Sequence, residues 1–245
     1  MLGFGQIVLC SLRSMLRTRF FWGWNASLLL LALSLNHITF FDFEENSLVP
    51  ELFSATLMLS GAVNLVVYNL SIIRELSLGQ WDLLILRPLR ASQLVLGKLL
   101  GAMLFQLPVS LVLAGAHLLD SAWLGRSVSG SFWAGWYLAL LHVATLGALY
   151  TLLSICLKEL WAFVSMVGAF IFGQFPLIIQ YSMIGNISGW IFCFLPDLEL
   201  TAKAGGDVPG TFVRFIFWKT TYSVFYLASL VYLSSLALKR RLDRP

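Results

Sequence analysis

The chain has 245 residues, 59% of them hydrophobic and 11% charged, with a formal net charge of +4. Soluble domains carry about 25% charged residues, so a water-facing globule is excluded and an integral membrane protein is indicated. The cations flank apolar runs instead of gathering on one soluble face, which argues against a nucleic-acid partner and marks them as topology determinants.

Residues 1–20 interleave Phe4, Ile7, Val8, Leu12 and Leu16 with Arg13, Arg17 and Arg19. That basic amphipathic pattern is too charged to span a bilayer and predicts a short interfacial helix. It does not read as a cleavable signal, because the arginines follow the first apolar residues and no small-residue cleavage site comes after a short apolar core.

Six apolar runs follow, at 21–41, 52–73, 94–118, 132–156, 160–184 and 217–238. Each is close to the ~20 residues a helix needs to cross ~30 Å of hydrocarbon. They are too long and too uniformly apolar for barrel strands, so helices are expected. The fold class is therefore all-α, a polytopic protein with six transmembrane helices. Trp22 and Trp24 mark the inner edge of the first run, and Asp42-Phe43-Glu44-Glu45 closes it.

Orientation follows from Lys and Arg. With the N-terminus inside, the inner segments hold Arg13, Arg17, Arg19, Arg74, Arg87, Arg90, Lys98, Lys158, Lys239, Arg240, Arg241 and Arg244. The outer segments hold Arg126, Lys203, Arg214 and Lys219. This places both termini in the cytoplasm. The outer segment 185–216 contains Trp190, Ile191, Phe192, Phe194 and Leu195, an apolar piece too short to span, which reads as a half-helix or re-entrant segment. No internal repeat and no soluble domain is evident.

Motifs for chemistry are sparse. Gly97-Lys98 looks like the end of a phosphate-cradling loop, but Ser92 stands where its first glycine belongs and Leu99 follows the lysine. His37, His117 and His142 fall on separate spans and lack metal-ligand spacing; Cys10, Cys156 and Cys193 are scattered in apolar contexts and lack it too. No metal site, catalytic residue or cofactor is expected on this chain. Asn25, Asn36, Asn64, Asn69, Gln106, Gln174 and Gln180 lie within spans; interhelical hydrogen bonding is their default role, and lining a substrate pathway the alternative for the last five. Gly97-x-x-x-Gly101 permits close helix approach.

The segment 74–93 is a charged island between two spans. Glu75, Asp82 and Arg87 escape the cost of charge in hydrocarbon, at least ~2.5 kcal/mol each, only at the membrane surface. Leu76, Leu78, Trp81, Leu83, Leu84 and Leu86 surround them, Gly79 permits a bend or close packing, and Pro88 ends the segment. A short amphipathic helix lying on the membrane and docking into a cytoplasmic partner is expected.

These features together resemble the ABC-2-type transporter permeases, small six-span subunits that work with separate ATPases. The resemblance covers nearly the whole chain. It rests on the basic amphipathic N-terminus, Arg74-Glu75-x-x-x-Gly79, Leu83-Leu84-x-x-Arg87-Pro88, Gly97-Lys98, Phe194-Leu195-Pro196-Asp197-Leu198 and the Lys239-Arg240-Arg241 tail. Arg87 departs from the small or polar residue usual before that proline. The resemblance implies a coupling element containing Glu75, Gly79, Trp81, Asp82, Arg87 and Pro88. It also implies two copies of a cytoplasmic ATPase that bind ATP and Mg, and a second permease protomer, identical or related. The chain itself would be no enzyme and would reside in the cytoplasmic (inner) membrane among its lipids; its outer segment could serve a periplasmic or extracellular partner. Export and mechanical transduction are both open. A non-transporting scaffold, or an intramembrane enzyme using the histidines, are the competing readings.

Overall fold

The computed structural model describes residues 3–34, 48–79, 90–123, 130–174 and 209–242. Seven α-helices occupy them: α1 (Phe4–Arg17), α2 (Arg19–Ser34), α3 (Leu48–Ser77), α4 (Ala91–Trp123), α5 (Gly130–Cys156), α6 (Glu159–Gln174) and α7 (Pro209–Leu242). The apolar runs become helices because a backbone removed from water must satisfy its own N–H and C=O groups.

Four helices are long and apolar enough to cross a membrane: Phe53–Ser77, Ala91–Trp123, Phe132–Cys156 and Val213–Arg241. They correspond to the second, third, fourth and sixth expected spans. The first and fifth appear as the 16-residue helices α2 and α6, and the rest of 21–41 and 160–184 lies outside the described residues.

Local signals move several boundaries. At the start of α4 the Gln93 side chain accepts the Arg90 backbone N–H at 3.0 Å, a capping arrangement that begins the helix at Ala91, before the expected 94. Gly79 has φ 66°, a left-handed conformation that ends α3 beyond the expected 73. Pro209 opens α7 with its φ already set, so the last part of the expected outer segment 185–216 is helical. Lys239, Arg240 and Arg241 close α7, where cations suit the negative helix end.

The helix ends sort into two groups. Ile7 of α1 would meet a Cβ built on Gly97 at 2.8 Å, Arg74 of α3 reaches Glu159 of α6, and Arg241 of α7 reaches Ile155 of α5. The start of α1, the end of α3, the start of α4 and the end of α7 therefore share one end of the bundle, with both described termini. This end carries Arg74, Glu75, Arg90, Lys98, Lys158, Glu159, Lys239, Arg240 and Arg241. At the other end, Phe53, His117 and Phe132 stack with ring centroids 4.8–5.2 Å apart, and Tyr137 meets Thr220 at 3.0 Å.

α3 and α5 make the most extensive helix–helix contact and form the centre. Leu57, Met58, Leu65, Ile72, Leu146 and Tyr150 are fully buried between them and their neighbours. α7 is peripheral: 28% of its apolar window is buried, against 72% for α5. Its exposed Phe217, Trp218, Phe225 and Tyr232, and the Leu100, Leu104, Leu107 and Leu111 stripe of α4, are what a lipid-facing surface presents.

α1 forms the amphipathic helix expected of residues 1–20, and its buried residues are Ile7, Ser11 and Met15. That stripe packs along the first half of α4, where Gly97 and Gly101 leave room. A Cβ at Gly101 would collide with Ser11 Cβ and lie 2.9 Å from the Val8 carbonyl oxygen. The GxxxG spacing thus seats α1 on α4, while Thr18, extended at φ −84° and ψ 112°, separates α1 from α2.

Candidate functional site

The last turn of α3 carries Arg74 and Glu75, and the second turn of α4 carries Lys98. Lys98 Nζ lies 2.6 Å from Glu75 Oε2, with the two side chains 10% and 26% exposed. The Tyr68 hydroxyl, about two turns back along α3, donates to the Lys98 backbone carbonyl at 3.2 Å. A carboxylate near a helix C-terminus faces the negative end of the dipole, and the Lys98 ammonium offsets that. The pair pins the entry of the 74–93 segment to its exit side. Gly79 follows immediately, accepting the left-handed turn.

Arg74 points the other way. Its Nε and Nη2 donate to Glu159 Oε1 at 3.2 and 3.1 Å, joining the end of α3 to the start of α6. Each charge suits its own helix end, but both side chains are at least half exposed, 70% and 50%, so the bridge contributes less than about 1 kcal/mol. Arg241 Nη1 donates to the Ile155 carbonyl at 2.8 Å, which satisfies one of the open carbonyls at the end of α5.

Deeper in the bundle a set of side chains joins α2, α3 and α4. Asn25 and Asn64 exchange amide bonds at 3.2 and 3.3 Å. Ser60 Oγ donates to Asn25 Oδ1 at 2.8 Å, Asn64 Nδ2 donates to Gln106 Oε1 at 3.0 Å, and Gln106 Nε2 returns to Ser60 Oγ at 3.3 Å. Asn69 stands apart: its Oδ1 accepts from Ser154 of α5 at 3.3 Å and its Nδ2 donates to the Leu65 carbonyl.

The sequence-derived candidates therefore divide. Glu75 and Gly79 lie together at the charged end, while Trp81, Asp82, Arg87 and Pro88 fall outside the described residues. Asn64 and Gln106 come together; Asn69 bonds to a different helix. Gln174 ends α6, with its side chain outside the description, as is all of Gln180. His117 packs against both Phe53 and Phe132, which also touch each other, and His142 is buried on α5. Among the described residues no group of three or more His, Cys, Asp and Glu side chains is placed to hold a metal ion.

Several partners were missed by sequence reasoning: Lys98 for Glu75, Glu159 for Arg74, and Ser60 and Ser154 for the amides. One signal was available. Lys98 is a charge inside an apolar run, and such residues pair with another charge or a carbonyl.

No protein-family model matches the chain, and no curated protein matches it. The class that the helices define, by length and composition, is that of a helical membrane protein.

Proposed function

We propose that this chain is the membrane subunit of an ABC transporter of the ABC-2 kind, which couples ATP hydrolysis on a separate cytoplasmic ATPase to export or mechanical work. The observation that supports this reading most is the Glu75–Lys98 pair. It ties the two helices flanking the 74–93 segment into one unit, as a rigid mount for a coupling element requires. Force applied to that segment would pass into α3 and α4, and through α3 to the central contact with α5 and to α6. The basic end of the bundle, by the bias of Lys and Arg, is the cytoplasmic one. ATP and Mg belong to the partner, and a second protomer would cover part of the exposed apolar surface.

A non-transporting scaffold is the second reading. The observation in its favour is the closed amide cluster of Asn25, Ser60, Asn64 and Gln106, whose polar groups serve helix–helix bonds. Charge reversal at Asp82 separates the two, since it lies in the proposed coupling element and outside the Glu75–Lys98 pair. In the reconstituted complex with its ATPase, Asp82→Lys is expected to weaken assembly or uncouple hydrolysis, with the thermal stability of the chain unchanged. Full assembly and full coupled activity in that variant would favour the scaffold.

A further inference from the structure

We infer that the charged end of the bundle holds a binding site for the phosphate headgroup of an anionic phospholipid. A cavity of about 570 Å³ lies between the ends of α3, α5, α6 and α7. Its apolar wall includes Ile73, Ile155 and Ala237, and its cations are Lys158, Arg240 and Arg241. Glu159 also lines it, but that carboxylate is engaged by Arg74 at 3.1 Å. The remaining balance of the lining is cationic.

Four features fit a lipid headgroup. The cavity sits where the spans stop: α5 ends at Cys156, and the basic residues of α7 begin at Lys239. Its apolar residues stand about one turn deeper along the helices than its cations, Ile155 before Lys158 and Ala237 before Arg240 and Arg241, as glycerol and phosphate together require. Basic pockets between membrane helices at the cytoplasmic side take anionic headgroups for this reason. The Arg241 guanidinium is held at the cavity by its bond to the Ile155 carbonyl, which leaves its other N–H groups for an anion. The first turn of α6 adds backbone N–H groups, which favour negative charge. A free phosphate would use the cations alone and gain nothing from Ile73, Ile155 and Ala237.

The test uses the purified full-length chain in detergent, titrated with dioleoyl phosphatidylglycerol or dioleoyl phosphatidylcholine and read by native mass spectrometry. Phosphatidylglycerol is expected to bind in preference. Lys158→Gln/Arg240→Gln removes two exposed cations and leaves the Arg241–Ile155 bond; it should weaken phosphatidylglycerol about thirtyfold. Removal of equal charge from α1 by Arg13→Gln/Arg17→Gln should leave binding unchanged. Ala237→Trp, which fills the apolar wall and keeps every charge, should also weaken it. Equal binding of the two lipids, or equal loss from the α1 variant, would overturn the site. Displacement of the lipid by millimolar inorganic phosphate would assign it to a free anion instead. Loss of an acidic protein partner in Lys158→Gln/Arg240→Gln, with phosphatidylglycerol binding intact, would assign it to a protein contact.

Discussion

Removing Glu75 should harm the protein more than removing Lys98, and removing both should harm it least. At 2.6 Å the attraction of the pair is about 6 kcal/mol at an effective dielectric of 20. Desolvating each ion costs several kcal/mol, so the intact pair is close to neutral against an apolar replacement. The singles differ because their surroundings differ. Glu75→Ala leaves an ammonium whose side chain is 10% exposed without its carboxylate, at a cost of about 3 kcal/mol. Lys98→Met leaves a carboxylate that is 26% exposed and can rehydrate, at a cost of about 1–2 kcal/mol. Glu75→Ala/Lys98→Met should lie within about 1 kcal/mol of wild type, giving a coupling energy of about 4 kcal/mol. For a chain of this size 1 kcal/mol moves Tm by about 2–4 °C, so thermal unfolding in detergent resolves the three variants. Additive single effects, or a double variant worse than Glu75→Ala, would refute the reasoning.

Other expectations follow from the same contacts. Asn64→Leu should cost about 1–2 kcal/mol in detergent unfolding, and Asn64→Leu/Gln106→Leu less than the sum of its singles, because the two amides share one cluster. Gly101→Val should lift α1 from α4, read as faster hydrogen exchange over residues 4–17, since its side chain would enter Ser11 and the Val8 carbonyl. Gly115→Ala, in α4 with nothing within 4 Å of the new Cβ, should instead stabilise by about 0.5–1 kcal/mol. Gly79→Ala should cost about 1–2 kcal/mol through its positive φ, and Gly79→Asn should recover much of that loss.

The long apolar helices were legible because hydrocarbon imposes a length and a composition together. α3, α4, α5 and α7 overlap the expected runs for that reason. Their ends were not, because capping depends on single residues: the Gln93 side chain, the sign of φ at Gly79, the ring of Pro209. Gly97-x-x-x-Gly101 announced a close approach but not its partner. The partner is α1, whose Ile7 and Ser11 repeat at the same spacing, and no local pattern links stretches so far apart. Likewise Glu75 and Lys98 are separated by the whole charged island. The amides were visible as polar residues in spans, but their sorting into one cluster around Asn64 and a separate Asn69–Ser154 bond depends on how the helices rotate about their axes. Apolar patterning does not set that rotation here, since these helices are hydrophobic nearly all round.

Under the proposed function a separate ATPase works through the 74–93 segment. This is tested most directly by purifying the chain from its native membrane in mild detergent and identifying what accompanies it. A stoichiometric cytoplasmic ATPase is expected, lost when residues 74–90 are altered while the chain remains folded. Recovery of the chain alone from several gentle detergents would contradict it.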